Sequence, residues 1–141
     1  MSRRSVHDDE AAASVLALMV AANGCIDPRE IRTIEALQAF ERLGVRREQF
    51  LALAHGCLDV LGPALYECSW LPSDAVDYID ALLDRVDDAP RRMLVCRLAA
   101  AAITADGCVS VDERLVYRHV LGRWRISQSM VTQAILQDPV R

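Results

Sequence analysis

The sequence predicts an all-α, single-domain bundle of about seven helices, arranged as two pseudo-symmetric helix-loop-helix halves. Three observations carry that expectation. Apolar residues recur at helical spacing along most of the chain, no alternating strand pattern competes with them, and one pattern of helix stop, loop and cap occurs twice. A chain of 141 residues, 52% hydrophobic and 26% charged, can bury one core without disulfides or a structural metal. Residues 1–8 are expected to form a flexible N-terminus and residues 9–141 the folded domain.

From about Asp9 to Ala22, Val15, Leu16, Met19 and Val20 share one helical face behind an acidic first turn, and Asn23-Gly24 ends the helix. Asp27-Pro28-Arg29-Glu30 reads as the next start, with Asp27 as cap, Pro28 as first helical residue and Glu30 completing a capping box. This second helix should run to Leu43 and stop at Gly44. A third spans Arg46 to Leu61, broken by Gly62-Pro63, and the stretch Ala64 to Pro72 is ambiguous.

Ser73 caps a fourth helix with Val76, Ile79, Leu83 and Val86 on its apolar stripe and Asp74, Asp77, Asp80, Asp84, Asp87 and Asp88 along an acidic band. Pro90 opens a fifth, whose alanine run Ala99 to Ala102 suits a buried central helix that neighbours approach closely. Ser110-Val111-Asp112-Glu113 is a second capping box, opening a sixth helix that should end before Gly122. Ser127 caps a seventh with Met130, Val131, Ile135 and Leu136.

Sixteen basic residues, all arginine, against twenty acidic ones leave a net charge of −4, which argues against nucleic-acid binding driven by bulk charge. The cluster Arg118, His119, Arg123, Trp124 and Arg125 is explained more simply by salt bridges and a tryptophan wedged under the last helix. His7, Asp8, Asp9 and Glu10 interrupt the start before any apolar run, so no secretory signal is expected there. Five cysteines, Cys25, Cys57, Cys68, Cys96 and Cys108, contain no CxxC pair, and their odd number suits reduced thiols in the cytoplasm. His55 and His119 lack ligand spacing to a cysteine and are read as structural.

Superposing Gly24 on Gly107 aligns Ala22-Asn23-Gly24-Cys25-Ile26 with Ala105-Asp106-Gly107-Cys108-Val109 and Glu30 with Glu113, an offset of 83 residues. The arrangement Ala-Asp-Gly-x-Val-Ser-x-x-Glu, present at Ala105 to Glu113 and in weaker form at Ala22 to Glu30, resembles the TerB tellurite-resistance family. It is also similar to the related amino-terminal domain of DjlA-type membrane co-chaperones. The resemblance covers about Val15 to Leu136. It implies a cytoplasmic helical protein of two related halves, linked to stress-response systems and to metal binding through acidic residues. Asn23 stands where the second copy has Asp106, and Asp27 where it has Ser110, so the two copies do not offer the same ligands.

Asp106, Gly107, Val109, Ser110 and Glu113 match the second half of an EF-hand loop, but the positions that would begin it are Ala102 and Thr104. Glu30 and Glu113 as capping acids is the plainer explanation. The sharper one is a weak divalent-cation site, for calcium or magnesium, made by Asp106, Ser110 and Glu113 with help from Asn23, Asp27 or Glu30. No phosphate loop, HExxH or GxSxG motif is present. The function expected is therefore non-enzymatic: a TerB-like binding or adaptor protein of a bacterial stress response, responsive to a divalent cation. The alternatives are a self-associating structural module and a metal-dependent enzyme using Asp106 and Glu113. Another protein is the expected partner, with a homodimer as the variant of that expectation, no nucleic acid, and membrane association only through partners.

Cap and ligand make different predictions for Glu113→Gln. Glutamine completes a capping box, so a pure cap loses little stability and any response to ions is unchanged. A ligand role predicts that the same substitution abolishes a magnesium- or calcium-dependent rise in Tm, because an ion that binds the native state stabilises it by mass action.

Overall fold

The structure, a computed structural model, describes residues 6–21, 28–65, 73–103 and 111–137. Within them the chain forms eight helices and no strand: α1 (Val6–Ala21), α2 (Pro28–Ala36), α3 (Ala39–Leu43), α4 (Arg47–Leu65), α5 (Ser73–Asp84), α6 (Ala89–Ile103), α7 (Val111–Trp124) and α8 (Gln128–Gln137). No described helix is long and apolar enough to cross a membrane.

The centre of the bundle is α1. Every residue from Ala11 to Ala21 is buried, Ser14 being the one polar member. A helix apolar on all sides must be covered on all sides. Here α4 and α6 make the main contacts, with α3, α5 and α7 completing the cover. The central position expected of the alanine-rich helix is thus taken by α1. Met93, Leu94 and Ala100 of α6 are only partly buried. A second difference is that α1 begins at Val6, inside the segment 1–8 expected to lie outside the folded domain.

The eighth helix arises because the expected run from Pro28 to Leu43 is broken. Gln38 takes a left-handed conformation with φ 61°, so α2 ends and α3 restarts at Ala39. Two expected stops are also overridden. Helix α4 continues through Gly62-Pro63 to Leu65, since a proline near a helix end forfeits one backbone bond, here to the exposed Asp59, without halting the chain. Helix α7 continues through Gly122, an open position where an added Cβ would meet nothing, and ends at Trp124. Pro28 does open α2, Ser73 begins α5, and α7 begins directly after Ser110. The start of α6 owes more to Asp88, whose Oδ2 accepts the Arg91 N–H at 3.3 Å, than to Pro90.

The ends of α3 and α7 are the same structure made twice. Val45 N–H donates to the Phe40 carbonyl at 3.0 Å and Gly44 N–H to Glu41 at 3.3 Å. In the second half Ile126 N–H donates to Leu121 at 2.9 Å and Arg125 N–H to Gly122 at 3.3 Å. Both are Schellman endings with a left-handed residue, Gly44 (φ 72°) and Arg125 (φ 57°). The buried residues Ala39, Phe40, Leu43 and Phe50 correspond to the buried Val120, Leu121, Trp124 and Val131. That correspondence has an offset of 81, against 83 for the helix starts at Pro28 and Val111. The difference of two is absorbed at Leu37-Gln38, because the stretch from Pro28 to Leu43 is two residues longer than the 14 of α7. The repeat therefore runs as α1, α2–α3, α4 and then α6, α7, α8, with α5 between. The two glycine loops themselves, 22–27 and 104–110, lie outside the described residues.

A left-handed arginine carries a Cβ penalty that glycine avoids. Arg125→Gly is expected to raise stability by about 0.5–1 kcal/mol, and Gly44→Ala to lower it by at least that much. Urea unfolding of both variants beside the unmodified chain measures each shift.

Candidate functional site

Of the six residues expected to hold a cation, Asn23, Asp27, Asp106 and Ser110 lie outside the described residues. Glu113 falls in the first turn of α7, as its capping pattern requires. Glu30 falls in the first turn of α2, is 1% exposed, and is engaged in an interaction inside the protein. Among the described residues, no group of three or more His, Cys, Asp or Glu side chains could hold a metal ion. Cys25, Cys68 and Cys108 also lie outside the described residues, while Cys57 and Cys96 are free thiols.

The acidic band of α5 and the basic cluster of α7 meet through two residues of each. His119 Nε2 lies 2.7 Å from Asp80 Oδ1, and Arg123 Nη2 donates to Asp84 Oδ1 at 2.8 Å while its Nε lies 3.8 Å from Asp80. The Arg123 guanidinium is held above its usual pKa, chiefly by the hydrogen bond to Asp84. Trp124 is buried, but against the end of α5 rather than under the last helix: its Nε1 donates to the Leu83 carbonyl at 3.3 Å. Arg92, which also donates to the Val86 carbonyl, stacks 5.5 Å from the indole ring. His119 is structural in the sense expected, as a bridge between helices. His55 is exposed.

The two described thiols are core groups. Cys57 Sγ receives the Tyr78 hydroxyl at 3.7 Å and itself donates to the Ser14 carbonyl at 3.9 Å, linking α5, α4 and α1. Burial raises its pKa, against the opposing pull of the Tyr78 hydrogen bond. Burial pushes the Cys96 thiol up to about 12 and is also the main cause that lifts the Tyr78 and Tyr117 phenols to about 12. A thiol so far from ionisation at neutral pH is no nucleophile.

What the sequence reading did not find is a cleft of about 500 Å³ between α6, α7 and α8. Ala100 and Ile103 of α6 and Tyr117 and Leu121 of α7 make its apolar wall, while Gln128 of α8 closes one side. The Tyr117 hydroxyl donates to Gln128 Oε1 at 2.7 Å, and Gln128 Nε2 donates to Thr132 Oγ1 at 3.4 Å, so the amide is satisfied within the protein. Two exposed guanidiniums, Arg114 and Arg118, stand four residues apart on α7 and also line the space. Their spacing around Tyr117 was the available signal, but nothing local shows that three separate helices leave a gap there. Met130 and Leu136 of α8 are 47% and 74% exposed.

A scan against protein-family models, a search of curated proteins and a search of solved structures each found no match to this chain.

The raised values of Cys96, Tyr78 and Tyr117 have a consequence with a definite sign. The folded state holds these protons more tightly than the unfolded chain does, so unfolding gains stability from deprotonation as pH rises. Their contribution to stability is complete below the ordinary thiol value of 9.0 and is lost as pH climbs toward about 12. Cys96→Ala should lower stability at neutral pH by about 1 kcal/mol through lost packing and make the decline above pH 9.0 shallower, as read by denaturant titrations along a pH series.

Proposed function

We propose that this chain is a non-enzymatic binding protein of TerB-like type, acting as an adaptor in a bacterial stress response, with the cleft between α6, α7 and α8 as its working site. The observation that supports this best is the cleft itself: an apolar wall whose own polar groups are satisfied, bordered by two exposed guanidiniums, at a volume in the range of ligand sites. The candidate cation ligands Asp106, Ser110 and Glu113 lie in or beside the segment that joins α6 to α7, the two helices lining most of the cleft. A calcium or magnesium ion held there would tie those two helices together, which is how a cation would tune binding.

The test uses the dye anilinonaphthalene sulfonate, an apolar anion, with the full chain. Saturable fluorescence enhancement is expected, and Ala100→Trp, which fills the cleft from its wall, should remove most of it while circular dichroism stays helical. Equal enhancement in both proteins would overturn the assignment of the site. The exposed Leu136 and Met130 favour the second reading, a self-associating module. That reading gains if light scattering finds a dimer that Leu136→Glu dissolves, and loses if the chain is a monomer at all concentrations tried.

A further inference from the structure

We propose that the cleft between α6, α7 and α8 binds an apolar monocarboxylate, an aliphatic chain lying on the Ala100, Ile103 and Leu121 side with its carboxylate on Arg114 and Arg118. This rests on the reading of the cleft as a binding site and names what enters it. The inference comes from comparing the two halves of the repeat. In the first half a smaller groove of about 340 Å³ lies between α2 and α4, lined by Ile31, Arg32, Arg47 and Leu51 with Pro28. Its seam is bridged within the chain, where Arg47 Nε meets Glu35 Oε2 at 3.2 Å. Under the 83-residue correspondence, Ile31 and Glu35 become Arg114 and Arg118, and under the 81-residue correspondence Arg47 becomes Gln128.

The charge at these three positions changes accordingly. Ile31, Glu35 and Arg47 carry zero, −1 and +1, whereas Arg114, Arg118 and Gln128 carry +1, +1 and zero. The second half therefore has a guanidinium, Arg118, where the first has its carboxylate, and a second guanidinium, Arg114, one turn before it. No carboxylate among the described residues pairs with Arg114 or Arg118, although the chain as a whole carries −4. Four residues on one helix put the two Cα atoms about 6 Å apart along the axis on one face, so that one carboxylate is within reach of both guanidiniums with an oxygen to each. Tyr117 and Gln128 are bonded to each other, so the arginines are the cleft's uncommitted donors. A planar fork suits a carboxylate, and the apolar wall rejects a second charge farther in.

Isothermal titration with dodecanoate below its micelle concentration tests this, with dodecyltrimethylammonium and acetate as comparison ligands. One saturable site for dodecanoate is expected, with no comparable binding of the cation, which lacks the right charge, or of acetate, which lacks the chain. The double variant Arg114→Gln, Arg118→Gln should weaken dodecanoate by about tenfold or more. Gln128→Glu keeps an acceptor for Tyr117 while returning a carboxylate to the seam, so it too should weaken dodecanoate, without loss of fold by circular dichroism. Binding of the ammonium amphiphile as tight as dodecanoate, dodecanoate binding undiminished in the arginine double variant, or no saturable dodecanoate binding at all would overturn the proposal. In each of those cases, dye binding that Ala100→Trp still abolishes leaves the cleft standing as a site for another ligand.

Discussion

The fold is governed by the need to keep eleven consecutive residues of α1, Ala11 to Ala21, out of water. A surface helix hides one stripe, but this one has no polar face to offer, so its neighbours must surround it. Burying a leucine, valine or methionine side chain is worth about 1.5–3 kcal/mol, and α1 presents Val15, Leu16, Leu18, Met19 and Val20 in six positions with one alanine among them. Its alanines serve a complementary purpose by letting α4 and α6 come close. The rest of the molecule is arranged by this demand: α3 and α4 wrap one side with α5 beside them, and the second half contributes α6 and, less extensively, α7, while α2 packs on α6.

That arrangement explains which interactions are structural and which are left for other uses. The polar links across helices, from Tyr78 through Cys57 to Ser14 and from Asp80 and Asp84 to His119 and Arg123, all serve to hold the wrapping helices to one another. They account for Asp80 and Asp84 of the acidic band and for His119 and Arg123 of the basic cluster. Arg114 and Arg118 are left outside this set because they lie on the side of α7 turned to α6 and α8, away from α5. The cleft is the space that α6, α7 and α8 leave between them.

The helical class, the repeat and most helix starts were legible in the sequence because they depend on local signals. Pro28, Ser73 and the Ser110-Val111-Asp112-Glu113 box act within one turn of chain. The errors have equally specific causes. Gly122 and the Gly62-Pro63 pair look like stops, yet a helix already gaining from burial on one face tolerates them near its end. Gln38 carries no sign of a left-handed conformation, which glycine or asparagine would have advertised. Helix α6 looked central for its alanines, but Arg91, Arg92 and Arg97 reduce its apolar surface, while α1 has only Ser14 in its buried stretch. The pairing of Asp80 with His119 joins residues 39 apart, and the cleft draws on three helices, so neither could be read from any window of sequence.

The left-handed residue between α2 and α3 changes what a length difference means for this fold. Two extra residues in an unbroken helix would turn everything after them by about 200° and point the apolar side chains away from the core. At Gln38 the chain leaves the helix and begins a new one, so Ala39, Phe40 and Leu43 return to the interior and α3 packs on α1. The rotational error is cancelled where it arises. The two halves can thus differ in length on the outside while the core retains a single phase, and a single exposed glutamine decouples the helix surface from the packing beneath it.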